Sequence, residues 1–462
     1  MTARALVGLA LLNAFVLGVG VAVLWSLRGW RSVAELARLS GLAYLLGVAL
    51  LGVTLSIELV LGVPFSFATI VLTGLGLAGA SIVARRALGP TDPPSEGAGG
   101  RRGLGAVGAV YGLLVVLYLE ALFRAGRLAG LSAWDAWAFW VPKAKAIYFF
   151  GGLDEQFFRE LVNPTYPPLL PALEASAFHF MGSADVITLH LQFWFLACGF
   201  AAAVAGLLAP RVPGLALWPF LLLVLVAPRV VGRNLDPQAD FLLDYFFALA
   251  ALLVALWLLD RQPWQLVAAS LFLGAAMLTK REGLLLAACV IAAACVASWR
   301  DRRYAWPRLA VAAACGVAVA VPWRIWFSSR ELSGELPEAG FLGLFDHLDR
   351  AWPALRSVLS TVFDYDLWVM VPPLAGVAIL LAFVAGARVM PTFALVLYGS
   401  LIAGFTWVLW SFVELELPFV QDEGVNPIVR LTGSLVIVSG ALVPLLLDAA
   451  WRGSDRPTPE RS

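Results

Sequence analysis

Long blocks of apolar residues, separated by short polar or charged stretches, recur from one end of this chain to the other. Many of them reach the ~18 to 20 residues that a helix needs to cross the hydrocarbon core of a bilayer. The two-residue alternation of a membrane barrel strand is absent from them. With no water to satisfy backbone groups inside a bilayer, helices are the natural way for such blocks to span it. The pattern therefore predicts about thirteen helical spans, near 5–27, 41–61, 65–84, 104–123, 185–208, 214–228, 237–259, 265–279, 283–299, 308–327, 367–387, 392–413 and 428–448. Several are short for a bilayer, and 265–279 with 283–299 reads as a hairpin that does not reach straight across. The expected fold class is all-α, a polytopic transmembrane bundle.

Composition agrees. Of the 462 residues, 61% are hydrophobic and 14% charged, against roughly 45–50% apolar and about 25% charged in soluble domains. The mean hydropathy is +0.86. The net charge of +1 gives no reason to expect a nucleic-acid partner. Cys198, Cys289, Cys295 and Cys315 all lie inside apolar blocks and read as small buried hydrophobes.

Charge adds direction. Segments 28–40, 85–103 and 300–308 and the C-terminal tail are rich in Arg, and alternation places them on one side, read as cytoplasmic. The long loops 124–184, 328–366 and 414–427 then fall on the opposite, extracytoplasmic side, the expected working surface. The stretch 89–103 reads as a cytoplasmic linker, rich in Gly and Pro at its start. It divides the chain into a three-span unit (1–88), a core (104–330, with outer loop 124–184), C-terminal spans and outer loops (331–448) and a tail (449–462). The expected setting is the plasma (inner) membrane, with the active face outside.

Candidate chemistry gathers at that outer side. Asp135 sits among Trp134, Trp137 and Trp140. An interfacial aromatic belt explains the indoles but not the carboxylate, and a carboxylate beside apolar rings is suited to act as a general base. Only three of the 32 basic side chains are Lys: Lys143, Lys145 and Lys280. All three fall in outer-side motifs, where a compact ammonium suits a phosphate. Lys280, Arg281 and Glu282 share one tight turn between apolar blocks and must meet an interface or a polar cavity. Asp236-Pro237 reads as helix cap and first helical residue. Asp240 and Asp244 follow on one helix face, and Asp244 lies deep enough to need a partner such as Arg233 or Lys280. The prolines of Asn163-Pro164-Thr165-Tyr166-Pro167-Pro168 fix an extended path at the surface.

In their order along the chain, Trp134-Asp135, Lys143-Ala144-Lys145, Tyr166-Pro167-Pro168, Asp236 to Asp244 and Thr279-Lys280-Arg281-Glu282-Gly283 resemble the GT-C membrane glycosyltransferases. That superfamily includes protein O-mannosyltransferases, aminoarabinose transferases acting on lipid A, and lipopolysaccharide-core and cell-wall sugar transferases. The resemblance covers residues 104–330. It departs from the family pattern at Ala136, where many relatives carry a second acidic residue, and in having three spans ahead of the core. It implies a GT-C-like bundle with juxtamembrane helices in the first outer loop. The implied activity is transfer of one sugar from a polyprenyl-phosphate donor to an acceptor hydroxyl on a glycan, lipid or protein, with inversion. Asp135 would be the general base. Lys143, Lys145, Lys280 and Arg281 would meet the donor phosphate, and Tyr166, Asp240, Asp244 and Glu282 would contact substrate. A monophosphate leaving group met by lysines does not demand a divalent metal, so no cofactor is expected. The competing reading is a polytopic transporter or lipid flippase of the cell-envelope glycan pathway, which would place its polar residues near mid-membrane and in paired repeats.

Overall fold

A computed structural model describes residues 1–88, 105–234, 236–332, 343–411 and 427–454. The linker 89–103, most of the loop 414–427 and much of the tail lie outside the described residues, within which all regular structure is helical. In chain order the helices are α1 (Ala3–Leu27), α2 (Val33–Arg38), α3 (Ser40–Val60), α4 (Phe67–Leu88) and α5 (Gly105–Gly126). A π-helical turn at Ala136–Trp140 leads into α6 (Val141–Phe150), α7 (Glu155–Glu160) and α8 (Leu169–Met181). Next come α9 (Val186–Leu208), α10 (Gly214–Leu225), α11 (Pro228–Asn234), α12 (Ala239–Asp260), α13 (Pro263–Thr279), α14 (Gly283–Ala297) and α15 (Arg302–Ser328). The chain continues through α16 (Ala351–Val362), α17 (Tyr365–Trp368), α18 (Val371–Val384), α19 (Val389–Ser411) and α20 (Pro427–Arg452).

Each of the thirteen predicted blocks is helical, but they are not thirteen equal crossings. Among the described residues, nine helices are long and apolar enough to cross a membrane, and α10 with α11, bent by 67°, makes a tenth if the pair is one broken span. The chain is thus a multi-pass membrane protein. Helices α13, α14 and α18 have 17, 15 and 14 residues. At about 1.5 Å per residue they fall short of the ~30 Å hydrocarbon core, so nine to ten helices among the described residues, instead of thirteen, meet the length of a full crossing.

Hydropathy alone does not tell the centre of the bundle from its rim. The most apolar stretches of α12, α4 and α5 have mean hydropathies of 2.3, 2.0 and 2.1, yet 94% of the α12 stretch is buried in protein against 11% and 17% for the other two. α12 is the central helix, packed against α13, α14 and α20. The N-terminal three-span unit packs into the bundle. α1 and α3 touch backbone to backbone, because a Cβ on Gly20 would lie 1.7 Å from the Ala43 carbonyl oxygen. A buried amide–phenol network then joins both to α9: Asn13 Nδ2 donates to Gln192 Oε1 at 2.8 Å and the Tyr44 hydroxyl to Asn13 Oδ1 at 2.5 Å. Such side-chain hydrogen bonds hold helices together where lipid tails compete for apolar contacts. Helix α8, in the middle of the predicted outer loop, is buried over nearly its whole length against α1, α3 and α6.

Candidate functional site

Four segments far apart in sequence converge at one end of α12. The first is the start of α12 itself. The expected cap at Asp236 is not formed: its carboxylate accepts the Ser132 hydroxyl at 2.7 Å, Gln238 N–H turns back onto the Asp236 carbonyl, and regular helix begins only at Ala239. This later start puts Asp240 in the first turn, where the helix dipole favours an anion. Asp244 lies one turn deeper, and both side chains are buried.

The second segment is the junction of α13 and α14. Lys280 leaves α13 in an extended conformation, and the chain turns so tightly that a Cβ on Gly283 would meet the Ala276 carbonyl oxygen at 2.2 Å. Only glycine lets α14 restart against the end of α13. The turn sends Lys280 Nζ to Asp240 Oδ1 at 2.8 Å and to Glu282 Oε1 at 3.2 Å. Arg281, on the same turn, is exposed.

The third is the π-helical turn after Asp135, a distortion found often at functional sites. Trp134 and Trp137 are half exposed, whereas Trp140 is fully buried. The Asp135 carboxylate, expected among the indoles, meets a guanidinium. That guanidinium belongs to the fourth segment, the first turn of α20, where Arg430 Nη2 donates to both Asp135 Oδ2 and Asp240 Oδ2, the latter at 3.0 Å. One turn on, Ser434 donates to Asp244 Oδ1. Between them Gly433 leaves room for Arg233, whose Nη1 donates to the Arg430 carbonyl at 3.0 Å; a Cβ on Gly433 would sit 2.5 Å from that nitrogen.

Asp135, Arg430, Asp240, Lys280 and Glu282 thus form one continuous chain of ion pairs, with Asp244, Ser434 and Arg233 beneath it. Tyr166 covers the cluster. Its ring stacks on Trp140 at 5.4 Å and 4°, and Lys280 Nζ lies 5.9 Å from its centroid. The path of the Tyr166 segment is fixed by three hydrogen bonds to its backbone carbonyls: Trp323 Nε1 to Thr165 at 3.0 Å, and Lys143 Nζ to Asn163 at 2.7 Å and to Tyr166 at 3.3 Å. Burial, with Glu282 nearby, pushes the Tyr166 hydroxyl up to about 12.

Two of the expected phosphate ligands are elsewhere. Lys143 is fully buried on the other side of Tyr166, enclosed by the rings of Phe139, Trp140, Phe158 and Tyr166. It has no carboxylate partner among the described residues, and burial lowers its ammonium to about 7. Its place is beneath the Tyr166 loop, which it anchors. Lys145, two positions further along α6, is half-buried and forms no part of the ion-pair chain. The acidic pair Asp154-Glu155 is also accounted for locally. Asp154 caps α7 through Phe157 N–H, and Glu155 pairs with Arg159 and Arg330.

Sequence reasoning did not single out Arg430. An arginine just inside a predicted span reads as a side chain reaching to the interface. The signal that marks it is the surplus of buried carboxylates at the same end, which need cations from somewhere. Arg430 Nε, Arg233 Nη2, Glu282 Oε2 and Trp140 Nε1 are buried without hydrogen-bond partners among the described residues. Buried polar atoms are nearly always satisfied in folded proteins, so these groups have valences free for a further polar partner, as do others elsewhere in the bundle, such as Glu174 and Gln265. No group of three or more metal-ligating His, Cys, Asp or Glu side chains is found among the described residues. Compared with family models, curated proteins and solved structures, the chain matches none.

Proposed function

We propose that this chain is a membrane glycosyltransferase that moves one sugar from a polyprenyl-phosphate donor to an acceptor hydroxyl on a glycan, lipid or protein, at the extracytoplasmic end of the bundle and with inversion. One observation carries the reading: carboxylates and cations from four distant segments meet in a single cluster whose outer members, Arg430 and Glu282, keep 25% and 21% of their side chains accessible. The order of motifs that resembles GT-C enzymes supports it, because three of those motifs contribute to the same cluster.

The chemistry follows from the free valences. Asp135 Oδ2 is held by Arg430, and Oδ1 accepts no hydrogen bond from the described residues. Oδ1 takes the proton of the acceptor hydroxyl as its oxygen attacks the anomeric carbon. The bond from that carbon to the phosphate oxygen breaks, and the electron pair leaves with the phosphate. Lys280 spends two N–H groups on Asp240 and Glu282, so its third N–H and the open Nε–H of Arg430 are donors for the charge that develops on the leaving oxygen. The half-buried Tyr166 ring, backed by Trp140, offers an aromatic face for a sugar. Displacement in one step inverts the anomeric centre.

Asp135→Asn is the decisive variant. It keeps the shape and one acceptor oxygen for Arg430 but cannot take a proton. With membranes containing the full chain and a panel of radiolabelled polyprenyl-phosphate sugars, transfer should fall by about 10²- to 10⁴-fold, the usual contribution of a general base. Wild-type transfer by a monodisperse Asp135→Asn protein would remove the carboxylate from the mechanism and the reading with it.

A further inference from the structure

The end of the bundle opposite the ion cluster carries a second feature. Between α13 and α15 a lipid-facing groove of about 660 Å³ is walled by Leu266, Val267, Leu271, Val311, Cys315 and Val319. Its floor is the line where the two helices pack. There the Ser270 hydroxyl donates to the Ala312 carbonyl at 2.7 Å, and Gly274 faces Gly316 so closely that a Cβ on either would contact the other's backbone. The floor therefore presents no free hydroxyl, and the groove suits a hydrocarbon chain.

Its mouth is built differently. Trp257, Tyr304 and Pro307 close it, and Arg308 stands there with its guanidinium 3.8 Å from the centroid of the Tyr304 ring. Arg308 is exposed and donates only to the Tyr304 carbonyl; no carboxylate pairs with it among the described residues. The neighbouring acid, Asp301, is taken by Arg261 at 3.0 Å. Arg300, Arg302 and Arg303 surround it on the same short stretch, all exposed. The mouth therefore carries an uncompensated positive charge next to an apolar slot. The slot has a length as well: from Arg308 to Val319 the helix rises roughly 16 Å, half of the ~30 Å hydrocarbon core. That is the depth of one leaflet.

We infer that this groove is a binding site for an anionic phospholipid of the leaflet at the basic end of the bundle, with one acyl chain between α13 and α15 and its phosphate on Arg308. Charge at the mouth selects the headgroup; the single-leaflet depth selects a lipid of that leaflet over one reaching from the other side. The site is separate from the ion cluster and does not depend on the transferase reading.

Titration of the full chain in neutral detergent with phosphatidylglycerol or phosphatidylcholine, read by native mass spectrometry, tests it. One phosphatidylglycerol should bind saturably and more tightly than phosphatidylcholine. Arg308→Gln should weaken it about fivefold, the effect of one basic residue near an anionic headgroup. Val311→Trp, at an exposed position, should fill the slot and abolish binding. Arg303→Gln, outside the groove, should weaken binding less than Arg308→Gln. Equal affinity for the two lipids, an unaltered affinity in Arg308→Gln or Val311→Trp, or a loss in Arg303→Gln as large as in Arg308→Gln would each overturn the inference. The last would show a diffuse basic surface instead of a site.

Discussion

At one end of the bundle a single guanidinium, Arg430, holds Asp135 and Asp240, and Lys280 is shared between Asp240 and Glu282. At the other end each pair joins one cation to one carboxylate. Arg28 meets Glu35, Arg211 meets Asp260, Arg261 meets Asp301 and Arg452 meets Asp448. Arginines there also cap the chain: Arg38 donates to the carbonyl of Gly206 in α9, and Arg452 to that of Arg211 just beyond it. Cations at helix C-termini satisfy carbonyls the helix cannot and complement its dipole. The basic end thus finishes helices with partners near them in sequence, or on an adjoining helix end. The acidic end instead joins residues up to 295 positions apart through two shared cations. The shared cations there are what a ligand phosphate would compete for.

The sharpest way to break this comparison is to remove the shared guanidinium. Arg430→Ala leaves two buried carboxylates facing each other, and breaking a buried pair costs about 3–5 kcal/mol. The lower end of that range is expected, because Asp240 keeps Lys280. Thermal unfolding in nanodiscs should show the loss, together with loss of sugar transfer. Arg430→Lys should fall between: it restores one charge but lacks the planar fork that reaches two carboxylates. If Arg430→Ala unfolds at the wild-type midpoint, the cluster is not the keystone argued here.

Much of this was legible beforehand, and the gaps have physical causes. Every predicted apolar block folds as a helix, since in a bilayer the length of an apolar run is itself the constraint. Asp240, Asp244 and Lys280 stood out because a charge at the end of, or inside, an apolar run must find a partner, and the pairing of Lys280 with Asp240 meets that demand. Arg430 did not stand out, because periodicity says nothing about which helix lies beside which: α4, α5 and α12 have nearly the same hydropathy and opposite burial. Lys143 was misjudged for a related reason. A lysine in such a motif reads as accessible, but Lys143 is packed inward against Phe158 and under the Tyr166 loop, where carbonyls satisfy it. The cap expected at Asp236 failed because Ser132, more than a hundred positions away, took its carboxylate.

Lys143 sharpens the comparison through pH. Its ammonium is held at about 7 by burial, against 10.5 for an ordinary lysine. Below pH 7 both the folded and the unfolded chain bind this proton, and the burial penalty is felt in full. Between about 7 and 10.5 the unfolded chain binds a proton that the folded one has released, so stability rises with pH. From pH 7 to 8.5 the rise from this group is about 1.5–2 kcal/mol, at ~1.4 kcal/mol per unit. Lys143→Met should remove it, giving a flatter plot of unfolding midpoint against pH than the wild type. Parallel profiles would mean that the side chain stays charged throughout, and that its carbonyl contacts outweigh burial.

The smallest effect belongs to the basic end. Arg211 and Asp260 meet through two hydrogen bonds, at 2.5 and 3.1 Å, but Arg211 keeps 35% of its side chain in solvent. Water and salt screen such a pair, so Arg211→Ala should cost only about 0.2–1 kcal/mol, and added salt should shrink the difference further. Its neighbours also limit the damage: Asp260 keeps the Gln265 amide at 2.9 Å, and Arg452 bonds to the Arg211 backbone, which alanine preserves. Sugar transfer should be unchanged. A loss of several kcal/mol, or of transfer, on Arg211→Ala would show that the two ends are coupled through α12, whose last residue is Asp260 and whose first turn holds Asp240. The division between a closing end and a working end would then give way to one continuous electrostatic frame along the central helix.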